Sequence, residues 1–396
     1  MLSLFAFANS IMSQNNITTN DNPEVKQGET GKIVIVLTSP KDIRDYQFDM
    51  IFPEGIKYEN CKEISGTDHT IRVEDVSSAH DGSRYRFVSA SLTGSYLPTT
   101  GTGVLEINVS TPFEQPSGNH AAKLTGSNLP GSSPQISLSA GSSKENTYRS
   151  IKQDDYSFYI FVAENFVELY EDSTSIPGSK DKTNVRVKRT LSSKYWNTIS
   201  LPFPMSKEQI ESAFGEGVKL AEFDGCETSA DYFTIKFKTI SNDTIEANHP
   251  YLIKVPRDIT KIEALAVPYD ASTNPSKKVG DNTFYGTNTK IENLGSEAKP
   301  YLFLSNNKFY SAVGNTTMKA FRGYFDIWGL SNIIGNAKFG FSVDDEATNI
   351  DGIETDQYIT EGVYDMQGRR MIVKDGDINN LPRGIYIVNG KKIVVK

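Results

Sequence analysis

GKIVIVLTSPKDIRDYQFDMIFPEG, residues 31–55, reads as two strands joined through a polar turn. Gly31–Leu37 is dense in β-branched residues, and Tyr46–Phe52 alternates apolar with polar before the punctuation of Pro53-Glu54-Gly55. An alternating strand buries one face and wets the other, which is the signature of an antiparallel sheet with a single covered side. Arg84–Ala90 and Gly103–Val109 repeat the period of two, again between Gly, Pro and Asn turns. Short regular strands of this kind predict an antiparallel sandwich over residues 20–170. Within it, Gln135–Leu138 is expected to add a strand, and Asp155–Leu169, with its continuous apolar run, to close the domain.

Outward from that stretch the text stays β-rich. EDSTSIPGSKDKTN, residues 171–184, has the composition of a linker. A second β-sandwich module is expected over 185–342, with strands at Tyr232–Ile240, Tyr251–Val255, Tyr301–Leu304 and Phe321–Trp328. It also carries the chain's one clear helix, near 206–214. Ser206 and Gln209 are spaced as a capping box, Ile210, Ala213 and Phe214 share a face, and Gly215 follows. An acidic linker, 343–355, leads to residues 356–396. There Gly384–Val388 and Lys391–Val395 flank Asn389-Gly390, a strong hairpin signal because a type I′ turn needs φ > 0 at both central positions. The fold class is all-β: two jelly-roll- or immunoglobulin-like sandwiches and a small C-terminal hairpin unit.

Composition narrows the function. The 396 residues carry 49 acidic against 41 basic side chains, a net charge of −8, and the basic residues form no run. That argues against a nucleic-acid partner, which needs a basic face. No stretch approaches the ~18 consecutive apolar residues of a transmembrane helix. Residues 1–19 read as the end of a secretory signal peptide and a disordered start, with Ala8-x-Ser10 as its cleavage signal. Cys61 and Cys226 lie in different expected domains, so isolated thiols are expected rather than a disulfide.

Three stretches resemble known families. Val363–Arg370, Leu381–Val388 and Lys391–Lys396 resemble, in that order, the C-terminal sorting domain of type IX secretion cargo in Bacteroidetes. The resemblance implies export to the outer membrane and the cell surface through that machinery, with Tyr364, Gly368, Pro382, Gly384, Tyr386 and Lys396 as the sorting motif. Gly28–Gly31, Gln47–Gly55 and Thr99–Ile107 resemble a cohesin-like domain, a sandwich related to carbohydrate-binding modules. Trp196–Met205, Ala247–Val255, Asn307–Tyr310 and Met318–Phe325 resemble a module that recurs in Bacteroidetes surface proteins and supplies no catalytic residues.

Chemical signatures are sparse. Asp42, Asp45 and Asp49 recur in one region but lack the central Gly and bidentate Glu of a calcium loop. His249 has no nucleophile motif beside it, and neither a G-x-S-x-G elbow, a P-loop nor H-E-x-x-H occurs. No catalytic residue, metal or cofactor is therefore assigned. The expectation is an exported surface protein without catalysis, engaged in adhesion or protein–protein binding through its first sandwich. Its alternative is glycan binding on a platform of Tyr46, Tyr85 and Tyr96, because aromatic faces stack on sugar rings. A hydrolase with an unrecognised site is the third reading.

Overall fold

A computed structural model describes residues 16–395 except 21, 80–82, 127–135, 143–146, 230–231, 241–243, 272–273, 297, 334–337, 345, 353, 356–362, 366–369, 372–382 and 389–390. It comprises two compact units, Met1–Asn165 and Phe166–Lys396.

The first unit holds β1 (Asn16–Thr19), β2 (Glu24–Lys26), β3 (Thr30–Thr38), β4 (Ile43–Phe52), β5 (Lys57–Glu63) and β6 (His69–Asp75). These are followed by β7 (Ser83–Ser91), β8 (Thr100–Ser110), β9 (Gly118–Thr125), β10 (Ile136–Ser142), β11 (Thr147–Gln153) and β12 (Tyr156–Ala163). Strands β1-β3-β8-β5 form one sheet. The second is organised on β4: β10 and β9 pair with successive halves of one edge, and β7 takes the other edge. Beyond them lie β11, β6, β12 and finally β2, which joins β12 in parallel. Alternate residues face inward, Ile33, Ile35, Leu37, Leu105 and Ile107 from the smaller sheet against Phe48, Met50, Phe87, Leu124 and Ile160 from the larger. This is the sandwich that the period-two pattern predicts.

The second unit contains β13 (Phe166–Tyr170), β14 (Lys180–Leu191), β15 (Asn197–Ser200), α1 (Lys207–Phe214), β16 (Lys219–Thr228), β17 (Tyr232–Thr239), β18 (Pro250–Lys254) and β19 (Ile259–Tyr269). Then come β20 (Ser276–Val279), β21 (Asn282–Gly286), β22 (Ile291–Gly295), β23 (Tyr301–Ser305), β24 (Lys308–Met318), β25 (Gly323–Asp326), α2 (Leu330–Ile333), β26 (Lys338–Val343) and β27 (Glu346–Gly352). A layer is added to the expected sandwich. The sheet β15-β18-β16-β17-β26-β27 has one core on each side. Leu220, Tyr251 and Ile253 pack toward β14, β19 and α1, whereas Ala221, Phe223 and Leu252 pack toward β21, β23 and β25. The short run Tyr251-Leu252-Ile253 is apolar throughout because both of its faces are covered.

Helix α1 follows its sequence signals closely. The Gln209 N–H donates to Ser206 Oγ, and the Ser206 N–H donates to Gln209 Oε1. Ile210 and Phe214 are buried, Ala213 packs beside them, and Gly215 closes the helix at φ +99.

Several boundaries differ from expectation. Residues 16–19, expected in the disordered start, form β1, and the strand expected at 135–138 is joined by β11. The single strand expected over 155–169 is two, with β13 pairing in parallel with β14 of the second unit. The break is fixed by Asn165, whose side-chain amide donates to the Gln27 carbonyl. Residues 180–184 of the expected linker already belong to β14. The acidic segment is not a free tether either: β27 pairs with β26, and Glu354–Thr355 pairs with β24.

At the C-terminal end Val363–Asp365, Arg370–Met371, Gly384–Val388 and Lys391–Val395 form a small sheet. Val388 pairs with Lys391, which is the register that a two-residue Asn389-Gly390 connection requires.

Candidate binding surfaces

The tyrosine platform is not formed. Tyr46 lies on the inner face of β4 at 2% exposure, its ring stacked on Phe48. Tyr85 sits opposite Met50 and points the same way, its ring 4.7 Å from Tyr58 and 5.9 Å from Phe52. Tyr96 is half-buried in the connection between β7 and β8. Each ring follows the alternation of its own segment, which places Tyr46 and Tyr85 with the core rather than in a wet aromatic row. Of the sorting-motif residues, Tyr364 lies in a strand, and Gly384 and Tyr386 lie in the penultimate one, Tyr386 at 6% exposure. Gly368, Pro382 and Lys396 lie outside the described residues.

The wet face of the larger sheet carries a different set of side chains. On β12 the inward residues are Phe158, Ile160 and Val162, and the outward ones are Ser157, Tyr159 and Phe161. Tyr159 is 61% exposed and Phe161 41%. They stand opposite Ala121 and Asn119 of β9, small exposed side chains that leave both rings open. Sequence reading missed this pair because a continuous apolar run implies cover on both faces. The available signal was that the surrounding strands alternate, so their shared outer face had to be wet.

Charged groups continue the same face. Lys123 of β9 forms an ion pair with Asp155, which also accepts from Thr125 Oγ1 at 2.6 Å. These contacts hold the Asp155 carboxyl below its ordinary range against the opposing effect of burial. Farther along, Asp49 is fully buried although it points outward from β4. Arg84 Nε and Arg86 Nε donate to its two oxygens, each at 2.9 Å, and Arg84 Nη2 also donates to the Gly126 carbonyl at 2.8 Å. So Asp49 is a paired structural carboxylate and not a solvated charge. Asp45 instead accepts from the Ser91 N–H, so these aspartates serve different local bonds.

Other reactive groups are dispersed. Cys61 and Cys226 are free and partly buried, and burial pushes the Cys226 thiol up to about 12. His249 lies between Glu222 at 3.8 Å and Glu246 at 4.0 Å, its ring 4.6 Å from that of Tyr251. Burial holds its imidazole below the usual range despite both carboxylates. Among the described residues no three His, Cys, Asp or Glu side chains converge as a metal site, and no helix is long and apolar enough to cross a membrane.

No family model matches the chain, and no curated protein does. Among solved structures it is similar to the cohesin module of a family 33 glycoside hydrolase from Clostridium perfringens, with TM-score 0.30 and 15% identity over 38% of this chain and 98% of that one. A type I cohesin from Pseudobacteroides cellulosolvens gives TM-score 0.30 and 16% identity over 39% and 94%. A non-cellulosomal cohesin from Archaeoglobus fulgidus gives 0.27 and 11% over 37% and 91%.

Proposed function

We propose that the first unit is a non-catalytic binding module that presents the outer face of its larger sheet to a protein partner at the cell surface. The observation that carries this reading is the exposed pair Tyr159 and Phe161, side by side on a strand whose opposite face is core. Large aromatics are the residues most enriched at the centres of protein interfaces, where they bring apolar area with little conformational freedom to lose. Lys123, Asp155 and Asn119 border them with polar groups, the arrangement of an anchor inside a wet rim. An open sheet face with such anchors suits another folded surface better than a small substrate, which needs a concave site.

A photo-crosslinking residue at position 159 or 161, with a control at Thr38 on the smaller sheet, tests the reading on intact cells. A discrete protein adduct from 159 and 161 and none from 38 is the expected result. Equal labelling from all three positions would overturn it.

The C-terminal strands fit an export and attachment tail within this reading, which is supported by the placement of Tyr364, Gly384 and Tyr386 in strands. Removal of residues 356–396 is then expected to leave the protein inside the cell, and unchanged surface display would remove this part of the proposal.

A further inference from the structure

The second unit holds an open groove of about 580 Å³, within the ~300–1,000 Å³ range of small-ligand sites. Its most unusual feature is Trp328, 74% exposed. An indole this large is seldom left in water, and here the backbone enforces it. Ile327 and Leu330, on either side, are each 3% exposed and anchor the loop in the core beneath. Gly329 turns the chain at φ +68, a left-handed value suited to glycine. The Trp328 N–H donates to Asn282 Oδ1 at 3.0 Å, tying the loop to the tip of the β20–β21 hairpin. Pairing of Thr283 with Asp326 holds that hairpin beside β25. The indole is therefore mounted on a braced support.

Its surroundings mix polar, uncharged groups with apolar ones and a carboxylate. Thr228 contributes a hydroxyl, Asn282 and Asn332 contribute amides, and Asp281 contributes a carboxylate. Phe233, Ile333 and the thiol of Cys226 complete the apolar lining, and among the described residues no Lys, Arg or His lines the groove. A cyclic ligand with an apolar face and a rim of hydroxyls matches this set. The C–H face lies on the indole, and the hydroxyls donate to Asp281 and exchange hydrogen bonds with the amides and Thr228. An anionic ligand would meet Asp281 with no cation to offset the repulsion. A trimethylammonium group would want several aromatic walls closing around it, and one exposed indole does not enclose it.

We infer that this groove is a binding site for a neutral saccharide, with Trp328 as the stacking platform and Asp281 as the hydroxyl acceptor. It is separate from the proposed protein-binding face, which belongs to the other unit, so either can fail without the other.

The test uses the full chain. It has two tryptophans, and the indole N–H resonance of Trp328 is identified as the one lost in W328A. Neutral gluco-, manno-, xylo- and N-acetylglucosamine oligosaccharides are titrated, with oligogalacturonate, a sialylated oligosaccharide and choline as controls. The expected result is a neutral oligosaccharide that moves the Trp328 resonance and leaves that of Trp196 in place. W328A is expected to bind it at least about tenfold more weakly and D281A several-fold more weakly, as for interface anchors elsewhere. Both positions are on the surface, so the thermal transition of each variant should match wild type. No response to any neutral sugar at about 10 mM, tenfold above a Kd of about 1 mM, would overturn the assignment. Full binding by W328A, or a stronger response to choline or to the acidic sugars, would overturn it equally.

Discussion

At the scale of single residues, burial decides what an ionisable group does for stability. Asp49 is buried between two guanidinium groups, Arg84 being almost equally hidden. Replacing the carboxylate leaves Arg84 charged in a dry place, a loss on the order of 3–5 kcal/mol. D49A is therefore expected to lower the urea midpoint of the first unit sharply, followed in the full chain by the fluorescence of its tyrosines. His249 makes the opposite kind of statement. The groups that face it are Glu222 of β16, Glu246 of its own turn, Lys277 of β20 and Tyr251 of β18. Burial lowers its folded pKa below the unfolded 6.5, so between those two values the unfolded chain binds the extra proton. Its effect on stability is thus neutral above pH 6.5, grows unfavourable as pH falls from 6.5 toward the folded value, and levels off below it. H249Q should flatten that part of the stability–pH curve, and an unchanged slope would show that the titrating group lies elsewhere. The sequence shows Asp49 as an acid on the wet phase of a strand. What it hides is that Arg84 and Arg86, 35 and 37 residues later, lie on the neighbouring strand and cover it.

At the scale of elements, local signals were most legible where the chemistry is local. The capping box of α1 is the plainest case, since Ser206, Gln209 and Gly215 act within one or two turns. S206A is expected to cost about 1 kcal/mol and to be seen as a small drop in the melting temperature of the second unit. The last hairpin is equally local, with Val388 and Lys391 paired across its two-residue connection. Continuous apolar runs were ambiguous because what covers a strand is decided elsewhere in the chain. Tyr251-Leu252-Ile253 and Tyr159-Ile160-Phe161 look alike as text. The first is a middle-layer strand buried on both faces, and the second keeps Tyr159 and Phe161 in water. Likewise, the polarity of residues 346–352 reads as a solvated tether, yet their backbone amides complete the edge of a sheet beside β26. Backbone pairing depends weakly on side-chain polarity, so composition alone could not reveal it.

At the scale of the whole molecule, the described residues form β layers that carry an exposed aromatic pair on a sheet face in the first unit and a braced, exposed indole beside a groove of mixed polarity in the second. The all-β class was legible from period-two alternation and turn residues. The exposed aromatics were not, because exposure is a property of the assembled layers, and of the tyrosines singled out, Tyr46 and Tyr85 pack with the core and Tyr96 is half-buried in a connection. Substitution at an exposed position leaves folding nearly untouched, which makes the first unit's claim directly measurable. The deciding measurement is the affinity of the crosslinked partner, once purified, for wild-type chain and for the Y159A/F161A variant. At least about a hundredfold loss of affinity with an unchanged thermal transition is expected, as befits two central anchors. Equal affinity in the two chains would contradict it and move the binding function off this sheet.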